Sequence, residues 1–177
     1  MILEHSLIAP SPSLSLTSSA MASEAEFAQA LSYANNQNHG QAFELFNKLA
    51  EQGDAAAQNE LGYMYVNGQG VRQDYGQAVA WYRKAAEQGY AAAQLNLGYM
   101  YDNGQGVRQD YGQAIAWYQK AHAQGNAKAA HNIGVHYGNG WGVRQNYATA
   151  KEWFGRACDL GDQDDCDKYR ELNQQGY

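Results

Sequence analysis

The sequence predicts an all-α solenoid of stacked helix pairs with a C-terminal capping helix, and three observations carry that prediction. The chain repeats itself every 36 residues. Within each copy the apolar residues recur at helical spacing, and glycines interrupt the pattern at the same places each time. An internal period of this length means an array in which each unit covers its neighbour's apolar face, because no unit buries that face alone.

Residues 55–90 and 91–126 differ at only eight of 36 positions, and 127–162 continue the register with more changes. Residues 163–177 read as half a copy, the capping helix. Upstream, His39-Gly40-Gln41-Ala42 sits 36 residues before Tyr75-Gly76-Gln77-Ala78, whereas Ala30 and Tyr33 match Gly62 and Tyr65 only at an offset of 32. Residues 23–54 are therefore expected to be a helix pair whose connector is four residues shorter.

In the second unit Leu61 and Tyr65 lie four apart, and Ala78, Trp81, Tyr82 and Ala85 follow the i, i+3, i+4, i+7 spacing of one buried stripe. Between them, Asn67 and Gly68 suit a left-handed helix stop, Gly70 permits a positive φ, Asp74 is a good N-cap and Gln88-Gly89 ends the second helix. Gly62, Gly98 and Gly134 recur in mid-helix, where glycine costs about 1 kcal/mol relative to alanine. Close approach of the partner helix accounts for that cost, with the rings of Trp81, Trp117 and Trp153 as the expected neighbours.

Composition narrows the function. Eighteen acidic against 12 basic side chains give a net charge of -6, the wrong balance for gripping nucleic-acid phosphates. Nineteen glycines beside only two prolines and 14 tyrosines fit neither collagen nor disorder. No apolar run approaches the roughly 18 residues of a spanning helix.

The unit LGYMY-x-NGQGV-x-QDYGQA-x-AWY-x-KA-x-x-QG closely resembles the Sel1-like repeat, a relative of the tetratricopeptide repeat with a longer inter-helix loop. The resemblance covers about residues 55–175, while 23–54 resemble a tetratricopeptide pair without that loop. It implies a right-handed superhelix that serves as a protein-binding adaptor, and similar bacterial members are often exported and linked to host cells. Cys158 and Cys166, in ACDLGDQDDC, resemble the cysteine-bearing branch, in which pairs at this spacing cross-link adjacent helices. The resemblance thus implies a Cys158–Cys166 disulfide; two free buried thiols are the alternative.

Residues 1–22 stand apart, with both prolines, six of the eight serines and no Lys or Arg. Ala20-Met21-Ala22 before Ser23 has the form of a signal-peptidase site, although the positive n-region is missing; a disordered tail fits the composition too. The expected location is periplasmic or secreted, which agrees with a disulfide; a cytoplasmic protein is the alternative.

Catalytic residues, cofactors and metals are not expected. Thr149 is the only Ser or Thr beyond Ser32. Some cysteine-rich relatives carry a penicillin-binding or β-lactamase attribution, the alternative function, yet neither S-x-x-K nor K-T-G is present. His131 and His136 lie five apart, about 140° around a helix, and so face different ways.

By alignment with the tetratricopeptide pattern, the contact positions on the concave side are Asn59, Tyr63 and Val66, then Leu95, Tyr99 and Asp102, then His131, Val135 and Gly138. The expected ligand is another protein or peptide, bound by a monomer. Asn35, Asn67, Asn103 and Asn139 form a ladder, and the last three, each just before a glycine, are better suited to capping than to clamping a peptide. Trp141, which replaces Gln69 and Gln105 in the loop, is the candidate hot-spot residue outside the packing register.

Overall fold

The computed structural model describes residues 13–177. Among these, nine helices and no strand occur: α1 (Ser13–Asn35), α2 (His39–Glu51), α3 (Ala55–Asn67), α4 (Tyr75–Glu87), α5 (Ala91–Asn103), α6 (Tyr111–His122), α7 (Ala127–Asn139), α8 (Tyr147–Asp159) and α9 (Gln163–Gln174). Each helix packs chiefly on the next in sequence, the pattern of an α/α solenoid. No described helix is long and apolar enough to cross a membrane. Residues 1–12 of the leader, with Pro10 and Pro12, lie outside the described residues. The remainder of the leader belongs to α1, which continues unbroken through Ala22 and Ser23.

Local chemistry sets the helix boundaries. Asp54, Asp74, Asp110, Asn126, Asn146 and Asp162 each accept a hydrogen bond from the backbone N–H three residues on, a side-chain N-cap. Gly68, Gly104 and Gly140 end α3, α5 and α7 at φ of 66°, 64° and 72°, where a Cβ is disfavoured. The loop that follows spans 68–74 in the second unit, against only 36–38 between α1 and α2. Its glutamine clamps it: Gln73 Nε2 donates to the Val66 carbonyl at 2.7 Å, and Gln109 and Gln145 do the same one and two units on.

That loop also docks on the preceding unit. A Cβ at Gly70, Gly106 or Gly142 would collide with the first residue of the previous unit's second helix, respectively His39, Tyr75 and Tyr111. The mid-helix glycines pack differently from the tryptophan expectation. A Cβ on Gly62 would stand 2.5 Å from the Tyr82 ring, on Gly98 2.6 Å from Tyr118 Cδ1, and on Gly134 2.7 Å from Phe154 Cε1. The neighbour is thus the residue after each tryptophan. One residue is about 100° of helix, so the indoles turn away to a half-buried edge. There Lys84, Lys120 and Arg156 lie over Trp81, Trp117 and Trp153 at 3.9, 3.8 and 4.3 Å from the ring centres.

A second tie recurs across the turn between units. Gln58 Nε2 donates to the Ala50 carbonyl at 3.1 Å, and Gln94 Nε2 to that of Ala86 at 3.2 Å. Seventy-two residues after Gln94 and Ala86, the same two positions are Cys166 and Cys158. They form a disulfide between α8 and α9, with Cα atoms 4.7 Å apart. A covalent bond thus stands at the last turn where a glutamine tie stands at earlier ones, because this register already brings the two positions into contact.

Candidate functional site

The first helices of the units, α3, α5 and α7, carry nearly all the predicted contact residues, and their side chains divide into three groups. Asn59 and Leu95 are buried. Asn59 donates to Glu60 Oε1 at 3.1 Å and accepts from Asn96 at 3.0 Å, tying α3 to α5; burial raises the Glu60 pKa and the Asn59 bond partly offsets this. Leu95 packs with Tyr118 and Ile133. Both therefore belong to the packing between helices, in contrast to the contact role expected of them. Tyr63 and Tyr99 remain 48 % and 37 % exposed. Val66, Asp102, His131, Val135 and Gly138 are intermediate.

The asparagine ladder is spent on capping: Asn67, Asn103 and Asn139 each donate to the carbonyl four residues back, at 2.8, 2.8 and 2.9 Å. Each of them is exposed at the end of its helix.

His131 and His136 face different neighbours. His131 Nδ1 donates to Asp165 at 2.7 Å, and Lys168 Nζ donates to the same carboxylate at 3.0 Å. Asp165 is wholly buried, in the register position that Ala57, Ala93 and Ala129 hold in the earlier units. A carboxylate in that place needs both donors, since an unpaired buried charge would be costly. This cluster joins α7 to α9 beside the disulfide.

His136 is buried in the position of Met64 and Met100. Its Nδ1 lies 3.0 Å from the Trp141 carbonyl, which can only accept, so Nδ1 carries hydrogen. Its Nε2 lies 3.2 Å from Asp102 Oδ1, close enough for an ion pair although off the line of a hydrogen bond. Burial pulls the imidazole pKa down, but the Asp102 carboxylate and the Trp141 carbonyl outweigh it, and the net direction is upward from 6.5. Tyr118, its own pKa raised by burial and then by Asp102, donates to Asp102 Oδ2 at 3.2 Å. Trp141 is 43 % exposed and stacks on Tyr111 with ring centres 5.9 Å apart.

The His136–Asp102 pair makes stability depend on pH. Because the folded pKa lies above 6.5, the contribution is complete below that value and is lost as pH rises through the folded pKa. The gap in melting temperature between the parent and Asp102→Asn is therefore expected to narrow as pH rises from about 6 to about 8. A gap that stays constant across that range would contradict the pairing.

Comparison of the copies marks these positions: Val66 becomes Asp102, Met100 becomes His136 and Ala129 becomes Asp165, each bringing an ionisable group to an apolar position. Among the described residues, no three His, Cys, Asp or Glu side chains converge as metal ligands would.

The family model of the Sel1 repeat matches residues 36–54, 55–90, 91–126 and 127–162. No curated protein is significantly similar to the chain. Among solved structures, a protective antigen of uropathogenic Escherichia coli strains displaying an SLR fold is 35% identical, with a TM-score of 0.83 over 87% of this chain and 34% of that one. A Sel1 repeat protein from Oxalobacter formigenes is 35% identical, with a TM-score of 0.77 over 85% of this chain and 60% of that one. Cysteine rich protein B of Helicobacter pylori is 25% identical, with a TM-score of 0.55 over 68% of this chain and 92% of that one. The chain spans about a third of the first of these and three fifths of the second. With four matched repeats that together cover well over half of its length, the chain belongs to the Sel1 repeat family.

Proposed function

We propose that this chain is a non-enzymatic scaffold that binds another protein or peptide through a concave face lined by α3, α5 and α7. The observation that carries this reading is the exposure of Tyr63 and Tyr99, one unit apart, on helices whose Leu61, Met64, Leu97 and Met100 are buried. Tyrosine offers wide amphipathic contact at low entropic cost, which interfaces exploit. Val66, Asp102, His131 and Val135 are half-buried on the same three helices, and Trp141 adds a second exposed aromatic surface at the loop. The binding unit is a monomer.

Export to a periplasm or out of the cell is part of the proposal. The Cys158–Cys166 bridge favours an oxidising compartment. Ala20, Met21 and Ala22 are exposed, whereas Phe27 and Ala30 of α1 pack in the core, so cleavage after Ala22 would leave the packing of those two residues intact. The likeness to a protective antigen of a uropathogen supports a role at the boundary with a host.

The test is capture of partners from native extract. Tyr63→Ala with Tyr99→Ala is expected to lower partner recovery at least about tenfold, as a central aromatic anchor does, with the helical fold retained. Trp141→Ala is expected to act in the same direction by a smaller factor. Full recovery with the double variant would contradict the proposed face.

A further inference from the structure

We propose that the cavity between α7, α8 and α9 is a socket for one aromatic side chain of the bound partner, flanked in the partner by basic residues. The inference rests on the scaffold reading and specifies the partner's chemistry. The cavity holds about 290 Å³; Val135, Gly138, Phe154 and Leu172 line its floor, with Lys168 and Glu171 among the residues at its rim.

One unit earlier, the same four floor positions are Tyr99, Asp102, Tyr118 and His136, and there the protein supplies its own ring. Tyr99 meets Tyr118 edge to face with ring centres 5.7 Å apart. Asp102 accepts from the Tyr118 hydroxyl and pairs with His136. In the C-terminal copy all four positions change together. Val135 lacks the ring, Gly138 the carboxylate, Phe154 the hydroxyl and Leu172 the imidazole. Loss of Asp102 alone would leave the Tyr118 hydroxyl and His136 without their carboxylate; loss of all four together leaves an apolar lining and the space that Tyr99 fills one unit earlier. An incoming aromatic side chain would take the place of Tyr99, its edge against Phe154.

Charge specifies the flanks. Lys168 is already held by the buried Asp165. Glu171 is exposed, forms no ion pair among the described residues, and bonds only to Gln175 Nε2 at 3.1 Å. Lys168 and Glu171 are the charged residues that line the cavity, so with Lys168 held by Asp165 the Glu171 carboxylate is the charge left to meet a basic residue beside the ring.

Amide-shift titration of the full isotope-labelled chain tests the proposal with acetyl-Arg-Phe-Arg-amide as probe, against acetyl-Arg-Ala-Arg-amide and acetyl-Glu-Phe-Glu-amide. Shifts are expected around Val135, Gly138 and Leu172 with the first peptide, and much weaker ones with the other two. Val135→Tyr, which restores the missing ring, should abolish them. Glu171→Lys, a surface change that leaves folding alone, should weaken the first peptide about fivefold, the worth of one exposed ion pair of ~1 kcal/mol. Equal shifts from the phenylalanine and alanine peptides, shifts elsewhere, or a response untouched by Val135→Tyr would overturn the socket. If the socket fails while the Tyr63 and Tyr99 variants still lose partners, the scaffold reading stands alone; a socket that binds while those variants keep their partners would remove the tyrosine face instead.

Discussion

Gly106→Ala is expected to destabilise the protein by about 2–5 kcal/mol, the sum of a left-handed backbone cost of ~1–2 and an overpacking cost of ~1–3. Gly106 sits at φ 69°, and its Cβ would fall on the Tyr75 carbonyl and 2.8 Å from the Gly76 nitrogen. Both obstacles are backbone, so neither moves aside as a rotamer would. Gly125 supplies the control, because its φ is 83° and nothing lies within 4 Å of its Cβ. Gly125→Ala should therefore lose only the conformational part, about 1–2 kcal/mol. Denaturant midpoints of the two variants separate the contributions. Equal losses would mean that the loop does not dock on the preceding unit.

Removing the disulfide should have the next largest effect. Replacing Cys158 and Cys166 together by alanine opens a link between residues eight apart, worth about 2–3 kcal/mol on loop-closure arguments. In a stacked array each unit leans on its neighbours, so the loss should concentrate in α9, where hydrogen exchange should speed up. The buried Asp165 would share in it, since its His131 partner on α7 is reached only while α9 stays seated. Unchanged protection in α9 would show that the bridge is redundant with that cluster.

The parts of this fold that follow local rules were legible in the sequence. Asp74 and Asp110 cap because a short carboxylate reaches the first free N–H groups of the next helix. Gly68 and Gly104 end helices because φ is positive there. What depends on the angle between two helices was not legible. Trp81 and Tyr82 share one apolar stripe, and only the approach of α3 decides that Tyr82 covers Gly62. For the same reason a register position did not reveal that Asn59 and Leu95 are buried while Tyr63 and Tyr99 are exposed. The Cys158–Cys166 pair follows from family resemblance, whereas its structural ground, the glutamine-to-carbonyl tie of earlier turns, depends on how the helices pack. Asp165 reads in the sequence as an acid that favours the start of α9, while the alanine at that position in three previous copies marks it as buried.

In the proposed scaffold the first-helix face, and not the second helices, meets the partner. Quantitative capture from native extract decides it, with Tyr63→Ala/Tyr99→Ala compared against Ala80→Arg/Ala116→Arg, a pair of exposed changes on α4 and α6. At least about tenfold loss of partner is expected with the tyrosine pair and full recovery with the arginine pair. Loss confined to the arginine pair, with the tyrosine pair unaffected, would contradict the proposed face.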